Sequence, residues 1–133
     1  MPQQTAVTDE CELMVEGEEL DVVLARTATE FAVRNVEAVG AGELDRLPTL
    51  AIESDPAAAL SRLLDEVVEL AQCEGFVVRG IDKLAFDAGR LRAVLVGVSA
   101  PSRIRGRVTE DVTVEPVDPG WVSRVVTTQQ TAV

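Results

Sequence analysis

The hydrophobic period of the sequence changes at Gly75, and this change restricts the possible folds more than any other feature. Before Gly75, apolar residues recur at three- and four-residue steps in two segments, the spacing of helices that bury one side. After Gly75, apolar and polar residues alternate, which is the spacing of half-buried strands. We therefore expect two helices in the first part of the chain and a run of antiparallel strands in the second.

The first helix is predicted from Glu18 to about Val36, with its first turn carrying acids that suit the positive end of a helix dipole. The second begins at Asp55, a capping residue, followed by Pro56 at the first helical position. It ends at Gly75, where a left-handed cap is expected. The residues predicted to face the core are Leu20, Val23, Leu24, Thr27, Ala28, Phe31, Leu60, Leu63, Leu64, Val67, Leu70 and Ala71.

The strand signals complete the predicted order. "CELMV" precedes the first helix, and "TLAIES" follows a connection over residues 37–48. "FVVRGIDKLAF" and "LRAVLVGVS" flank a turn at residues 87–89, and "RIRGRVTEDVTVEPV" and "WVSRVVTT" flank "DPG", so they predict two hairpins. The order β-α-β-α-β-β-β-β predicts an α+β two-layer sandwich, with two helices packed on one face of a mainly antiparallel sheet. Residues 1–133 are expected to form one domain, frayed at 1–8 and 129–133.

The composition excludes several kinds of chemistry. The chain has no His and no Tyr, so a Ser-His or Cys-His nucleophile pair cannot form and much of ordinary enzyme chemistry is removed. With one Trp and three Phe, it lacks the aromatic platform on which single-stranded nucleic acid stacks. Without a signal peptide or an apolar membrane span, a cytoplasmic protein is expected. Cys11 and Cys73 are then predicted to be buried, reduced thiols.

The negative charge is concentrated in the first half of the chain. Residues 1–70 carry 16 acids and 4 bases, whereas residues 71–133 carry 7 acids and 8 bases. Asp9 and Glu10 precede the first strand and Glu37 follows the first helix, so the returning helix can bring these carboxylates together. Converging carboxylates suit a hard cation such as Ca²⁺ or Mg²⁺. The alternative is a solvated acidic surface with no specific ligand.

Three arginines form a second candidate site. Arg103, Arg105 and Arg107 alternate along a predicted strand and should project from one face. Guanidinium groups in this arrangement suit a partner's phosphate or carboxylate groups. The alternative is the polar outer face of a strand whose inner face holds Ile104 and Val108.

Several segments, in order and spacing, resemble archease, the small protein that assists an RNA ligase of the 3′-phosphate type in tRNA splicing. "VTDECELMVEGEELDVVL" resembles the opening of that family, with Thr8, Gly17 and Leu20 at matching positions. "ALSRLLDEVVELAQCEGFVVRGIDKLAFDAGRLRAVLVG" resembles its second helix and following hairpin. "RIRGRVT" and "WVSRVV" resemble two later strands, which puts Arg105 at a Lys position. The resemblance covers roughly residues 8–128.

The resemblance implies a non-enzymatic activator of that RNA ligase, with Arg105 as a partner or phosphate contact. It also implies a bound divalent cation, Ca²⁺ or Mg²⁺. The ligand positions would be Glu10 with Asp9 beside it, Glu37 and Thr128. Thr128 is a neutral hydroxyl where the family has an acid, so a second possibility stays open. The chain could be a divergent paralogue that has lost the metal site and acts as a protein-interaction module.

Overall fold

The structure is a computed structural model that describes residues 7–40 and 42–131, without the side chains of 7–9, 109–110 and 130–131. The predicted α+β fold is confirmed: two helices pack against antiparallel sheets. The strands are β1 (Val7–Gly17), β2 (Val36–Ala38), β3 (Leu44–Ile52), β4 (Phe76–Asp87), β5 (Arg90–Ser99), β6 (Ser102–Ile104), β7 (Gly106–Val117) and β8 (Gly120–Thr131). The helices are α1 (Leu20–Asn35) and α2 (Pro56–Glu69), and α2 continues into a π-helical turn (Leu70–Glu74).

The described strands form two three-stranded sheets, in the orders β1-β8-β7 and β3-β5-β4, and a small sheet of β2 and β6. Helix α1 packs against β4, β1 and β8, while α2 packs mainly against β7 and β3. Both helices point their apolar stripes into one continuous core, as their spacing predicts. The largest fully buried side chains are Phe31, Leu24, Leu60, Leu63, Leu64, Leu91 and Leu95.

A buried polar contact ties α1 to β8. The Thr27 hydroxyl donates to the carbonyl oxygen of Val23 at 2.6 Å and lies 2.5 Å from the hydroxyl of Ser123. Both hydroxyl residues are fully buried. Since a buried hydroxyl without a partner is costly, this pair favours one position of α1 along the sheet.

The predicted ends of α2 are confirmed. The Asp55 carboxylate accepts a hydrogen bond from the Ala57 backbone N–H at 3.3 Å, with Pro56 at the first helical position. Gly75 ends the π-helical turn at φ 62°, in the left-handed region that glycine adopts without steric cost. The change of hydrophobic period therefore coincides with a real structural boundary.

Several predicted boundaries were wrong. Helix α1 begins at Leu20 and not at Glu18, so Asp21 is the acid in its first turn. The side chain of Asp21 accepts a hydrogen bond from the backbone N–H of Phe86 at 3.0 Å and so fixes the start of α1 to the end of β4. The predicted connection over residues 37–48 contains part of β2 and the first half of β3. Strand β3 tolerates Pro48 because it lies at a sheet edge.

The long strand predicted from residue 103 to 117 is interrupted. It divides at Arg105 into β6 and β7 because the Arg105 backbone N–H donates to the carbonyl oxygen of Asn35 at 2.7 Å. The chain thereby leaves the pairing of β6 with β2 and enters the pairing of β7 with β8.

The predicted burial of both cysteines was wrong: Cys11 and Cys73 are free and exposed. Cys11 lies near the start of β1, an edge strand, and Cys73 lies in the π-helical turn beyond α2. The ends expected to be frayed lie partly within the described residues. Residues 7 and 8 pair with residues 131 and 130, and residue 129 pairs with residue 9, so these positions belong to the β1-β8 ladder. Residues 1–6 and 132–133 lie outside the described residues.

Candidate functional site

The strand register brings three of the predicted site residues into one row at the end of the β1-β8-β7 sheet. Thr128 on β8 lies opposite Glu10 on β1 and opposite Arg107 on β7. Directly opposed residues of antiparallel strands carry their side chains on the same face. Glu10 and Arg107 are exposed, and Thr128 is half-buried between them. A carboxylate, a hydroxyl and a guanidinium group thus follow one another across the sheet.

Glu37 on β2 binds two of the three predicted arginines. The Oε2 atom of Glu37 accepts hydrogen bonds from Nη2 of Arg105 at 2.8 Å and from Nε of Arg105 at 3.3 Å. Nη1 of Arg103 lies 4.0 Å from the same oxygen. The hydrogen bond from Arg105, followed by the charge of Arg105, holds the pKa of Glu37 below its ordinary value. Because all three side chains are about half exposed, water weakens these ion pairs.

Asn35, the last residue of α1, positions this site from inside and was missed by the sequence analysis. Its Nδ2 atom donates to the carbonyl oxygen of Phe31 at 3.0 Å, and its Oδ1 atom accepts from Nε2 of Gln129 at 3.3 Å. Its own carbonyl oxygen accepts the hydrogen bond from the Arg105 backbone. Asn35 is 3% exposed. The available signal was an amide side chain in the last turn of a predicted amphipathic helix, where free carbonyl groups need donors.

A cavity of about 330 Å³ opens beside these residues. Its lining consists of Ile104, Arg105, Gly106, Arg107 and Thr128. Two guanidinium groups and a hydroxyl are donors, so the cavity suits an anionic group such as a carboxylate or phosphate. We call Arg103, Arg105 and Arg107, together with Glu37 and Thr128, the arginine site.

The structure brings the predicted metal ligands only partly together: Glu10 lies opposite Thr128, whereas Glu37 lies on a different sheet. Glu37 is already bound to two arginines, and Thr128 offers a neutral oxygen beside Arg107. Glu10 is exposed, and the side chain of Asp9 lies outside the described residues. Among the described side chains, no group of three or more His, Cys, Asp or Glu is placed to hold a metal ion. Since Ca²⁺ and Mg²⁺ need several oxygen ligands with negative charge, cation binding would depend on Asp9 beside Glu10, and it stays a prediction.

The fold and the arginine site together define a small α+β sandwich with an arginine-rich polar surface. A crystal structure of an archease from Thermotoga maritima, described as a possible chaperone, is similar to this chain with a TM-score of 0.56. The similarity covers 98% of this chain and 96% of the archease, at 12% sequence identity. At that identity, the similarity establishes the fold.

No protein-family model matches the chain, and no curated protein matches it at a significant level. Across the described residues, neither helix has the length and apolar character needed to cross a bilayer.

Proposed function

We propose that this chain is an archease-like accessory protein of the cytoplasm that binds and activates an RNA ligase of the 3′-phosphate type, and that it catalyses no reaction itself. The observation that carries the proposal is the archease-like fold over almost the whole chain. The arginine site supports it, because Arg105 is the position at which the sequence resemblance implies a partner or phosphate contact.

In this proposal the arginine site makes the contact. Glu37 holds the guanidinium group of Arg105 by two of its nitrogens, which limits its rotation. Arg107 lines the same cavity as Arg105, and Arg103 lies 4.0 Å from the same carboxylate of Glu37. The three arginines outnumber Glu37 and Glu10, and their guanidinium groups suit carboxylate or phosphate groups of the ligase or its bound substrate. Participation of a divalent cation bound by Glu10 and Asp9 is a separate prediction, which the calorimetric titration below tests.

The test is RNA ligation by a purified ligase of the 3′-phosphate type, with and without the purified chain. We expect the chain to raise ligase turnover and Arg105→Ala to remove most of the increase. Arg124→Ala is the matched control, because Arg124 is also an exposed arginine bound to a glutamate, Glu12, at 2.8 Å. Ligase turnover that the wild-type chain leaves unchanged would contradict the proposal.

The second candidate is a divergent paralogue that kept the fold, lost a metal-assisted role and acts as a protein-interaction module. This candidate is favoured by the ion pairs of Glu37 with Arg103 and Arg105, because they engage a carboxylate that was predicted to bind the metal. Calorimetric titration with Ca²⁺ and Mg²⁺, together with the ligation assay, distinguishes the two candidate functions. Heat of binding that disappears in Glu10→Ala would support a metal-assisted activator. A chain that binds the ligase without raising turnover, and gives no heat with millimolar metal, would support the interaction module.

A further inference from the structure

The outer face of the β3-β5-β4 sheet is unusually apolar. Along β3, the side chains that point away from the helices are Leu44, Arg46, Pro48, Leu50 and Ile52, all of them exposed. Leu44 is 71% exposed, Leu50 54% and Ile52 67%. An antiparallel sheet with one face on the core normally presents polar residues on the other. A contiguous exposed apolar patch of this kind often marks a binding surface.

The neighbouring strands extend this apolar area into a shallow groove. Pro48 lies opposite Val94 on β5, which in turn lies opposite Lys83 on β4. Leu50 lies opposite Arg92, which lies opposite Ala85. These residues line a cavity of about 510 Å³ together with Thr49, Leu84 and Ala93. We call this surface the outer groove.

Positive charge borders the outer groove, although the chain as a whole carries a net charge of -11. Lys83 and Arg92 line the groove, and Arg90 lies at the start of β5, on the same strand as Arg92. All three are exposed, and none forms an ion pair with another described residue. Arg46, on the same face, is by contrast bound to Asp82. Asp87 lies opposite Arg90 at the hairpin end, and Asp82 directly precedes Lys83. On the other side of the groove, Leu50 lines a separate cavity with the acids Asp65, Glu66, Glu69 and Glu74, so the basic rim is confined to the side of the groove formed by β4 and β5.

We propose that the outer groove is a docking surface for an acidic, amphipathic segment of a partner protein. The apolar side chains of that segment would cover Leu50, Pro48 and Val94, and its carboxylates would meet Lys83, Arg90 and Arg92. Charge complementarity selects this occupant, because an acidic chain repels an acidic partner over most of its surface, whereas this local basic rim beside exposed apolar side chains attracts one.

Two other modes of occupation fit less well. A second copy placed face to face by a two-fold axis would bring the same cations of the two copies together. Addition of a strand to the edge of β3 would lack a backbone donor at Pro48, which has no N–H group. Docking of a side-chain face onto the groove needs neither arrangement.

The test uses fluorescence anisotropy with two labelled synthetic helical peptides. One carries Leu on one face and Glu on the other, and the second has Lys at every Glu position. We expect the Glu peptide to bind at least about tenfold more tightly than the Lys peptide, with the difference shrinking as salt is added. Equal binding of the two peptides, or no binding of the Glu peptide below millimolar concentration, overturns the proposal.

Variants locate the binding. Leu50→Ser and Arg92→Glu should each weaken binding of the Glu peptide by about tenfold. Val33→Ser and Arg34→Glu are the matched controls, because Val33 is 60% exposed and both residues lie on α1. The controls should change the dissociation constant by less than about twofold. Circular dichroism of each variant checks that it is folded, and unchanged binding by folded Leu50→Ser overturns the proposal.

Sedimentation equilibrium tests occupation by a second copy. The wild-type chain and Leu50→Ser should both be monomeric at the concentrations used for peptide binding. A wild-type dimer that Leu50→Ser dissociates would assign the outer groove to a second copy and overturn the proposal. The outer groove does not depend on the ligase role: Arg105→Ala tests the ligase contact and should leave peptide binding unchanged.

Discussion

The two three-stranded sheets differ in how their outward side chains are satisfied. On β1-β8-β7, Glu12 binds Arg124, and beyond the sheet's end Glu37 binds Arg105. On β3-β5-β4, exposed leucine and isoleucine side chains stand beside cations that form no ion pair with a described residue. On the first surface, ion pairs within the protein hold the charged side chains; on the second, only Arg46 has such a partner among the described cations, and Lys83, Arg90 and Arg92 have none. Polar contacts therefore fix the positions of charged side chains at the β1-β8-β7 sheet. At the β3-β5-β4 sheet, exposed apolar area is available to stabilise a complex with a partner.

The largest difference between the two regions is expected when a glycine of each is replaced by alanine. Gly106→Ala should lower the free energy of unfolding by about 2–3 kcal/mol, since overpacking of a tight site costs of that order. The added Cβ would collide with the Oδ1 atom of Asn35. Gly80→Ala on β4 is the control, because no other atom lies within 4 Å of the position of its added Cβ. Urea unfolding measures both, and equal losses would show that the two regions are packed alike.

The next effect concerns the amide beneath the arginine site. Asn35→Ala should lower the free energy of unfolding by about 1–2 kcal/mol, because it removes two hydrogen bonds from a buried position. Gln129→Ala removes one of the two and should cost about 0.5–1 kcal/mol. Urea unfolding of the two variants and of the double variant gives the coupling. A neutral Asn35→Ala would show that this amide does not organise the region.

Substitutions in the outer groove should leave the stability of the fold nearly unchanged. Leu50→Ser and Ile52→Ser should each change the free energy of unfolding by less than about 0.5 kcal/mol, because both side chains are more than half exposed. Leu64→Ala, at a fully buried leucine, should cost about 2–5 kcal/mol. Thermal and urea unfolding test the contrast. A large loss at Leu50 would mean that the groove is part of the core.

The smallest effect is electrostatic. In Arg105→Ala, the pKa of Glu37 should return upward toward its ordinary value, because the hydrogen bond and charge that lower it are gone. Since folding lowers this pKa, the pair's contribution to stability is complete above the ordinary glutamate pKa and is lost as pH falls through the lowered one. NMR titration of the Glu37 carboxyl measures the pKa. Arg103→Ala, which removes a weaker charge effect, should move the pKa less; an equal shift would contradict the assignment.

Much of the fold could be predicted from local patterns. The stripe of α2, its Asp55 cap and the Gly75 cap depend on residues close together in sequence, so periodicity and capping chemistry were enough. The break at Arg105 could not be predicted, because its cause is a hydrogen bond to Asn35, distant along the chain. Strand β3 was predicted too short because Pro48 normally interrupts strands, and only its position at an edge makes it compatible with pairing.

The candidate site was predictable in part. The three arginines were found from their alternation, and the register places Glu10 and Thr128 opposite each other. The use of Glu37 by the arginines could not be read from the sequence, because β2 and β6 were not predicted as a pair. The outer groove was missed because part of β3 was assigned to a connection, which hid the alternation of Leu44, Leu50 and Ile52. Cation binding by Glu10 and Asp9 stays a prediction.

Asn35 gives the molecule a way to adjust its surface from a buried position. Because the Asn35 carbonyl fixes where β6 ends and its side chain reaches the end of β8, a substitution there would re-aim guanidinium groups without altering any of them. Changes in binding preference within related chains could therefore arise at helix ends in the interior, and a search confined to exposed positions would overlook them.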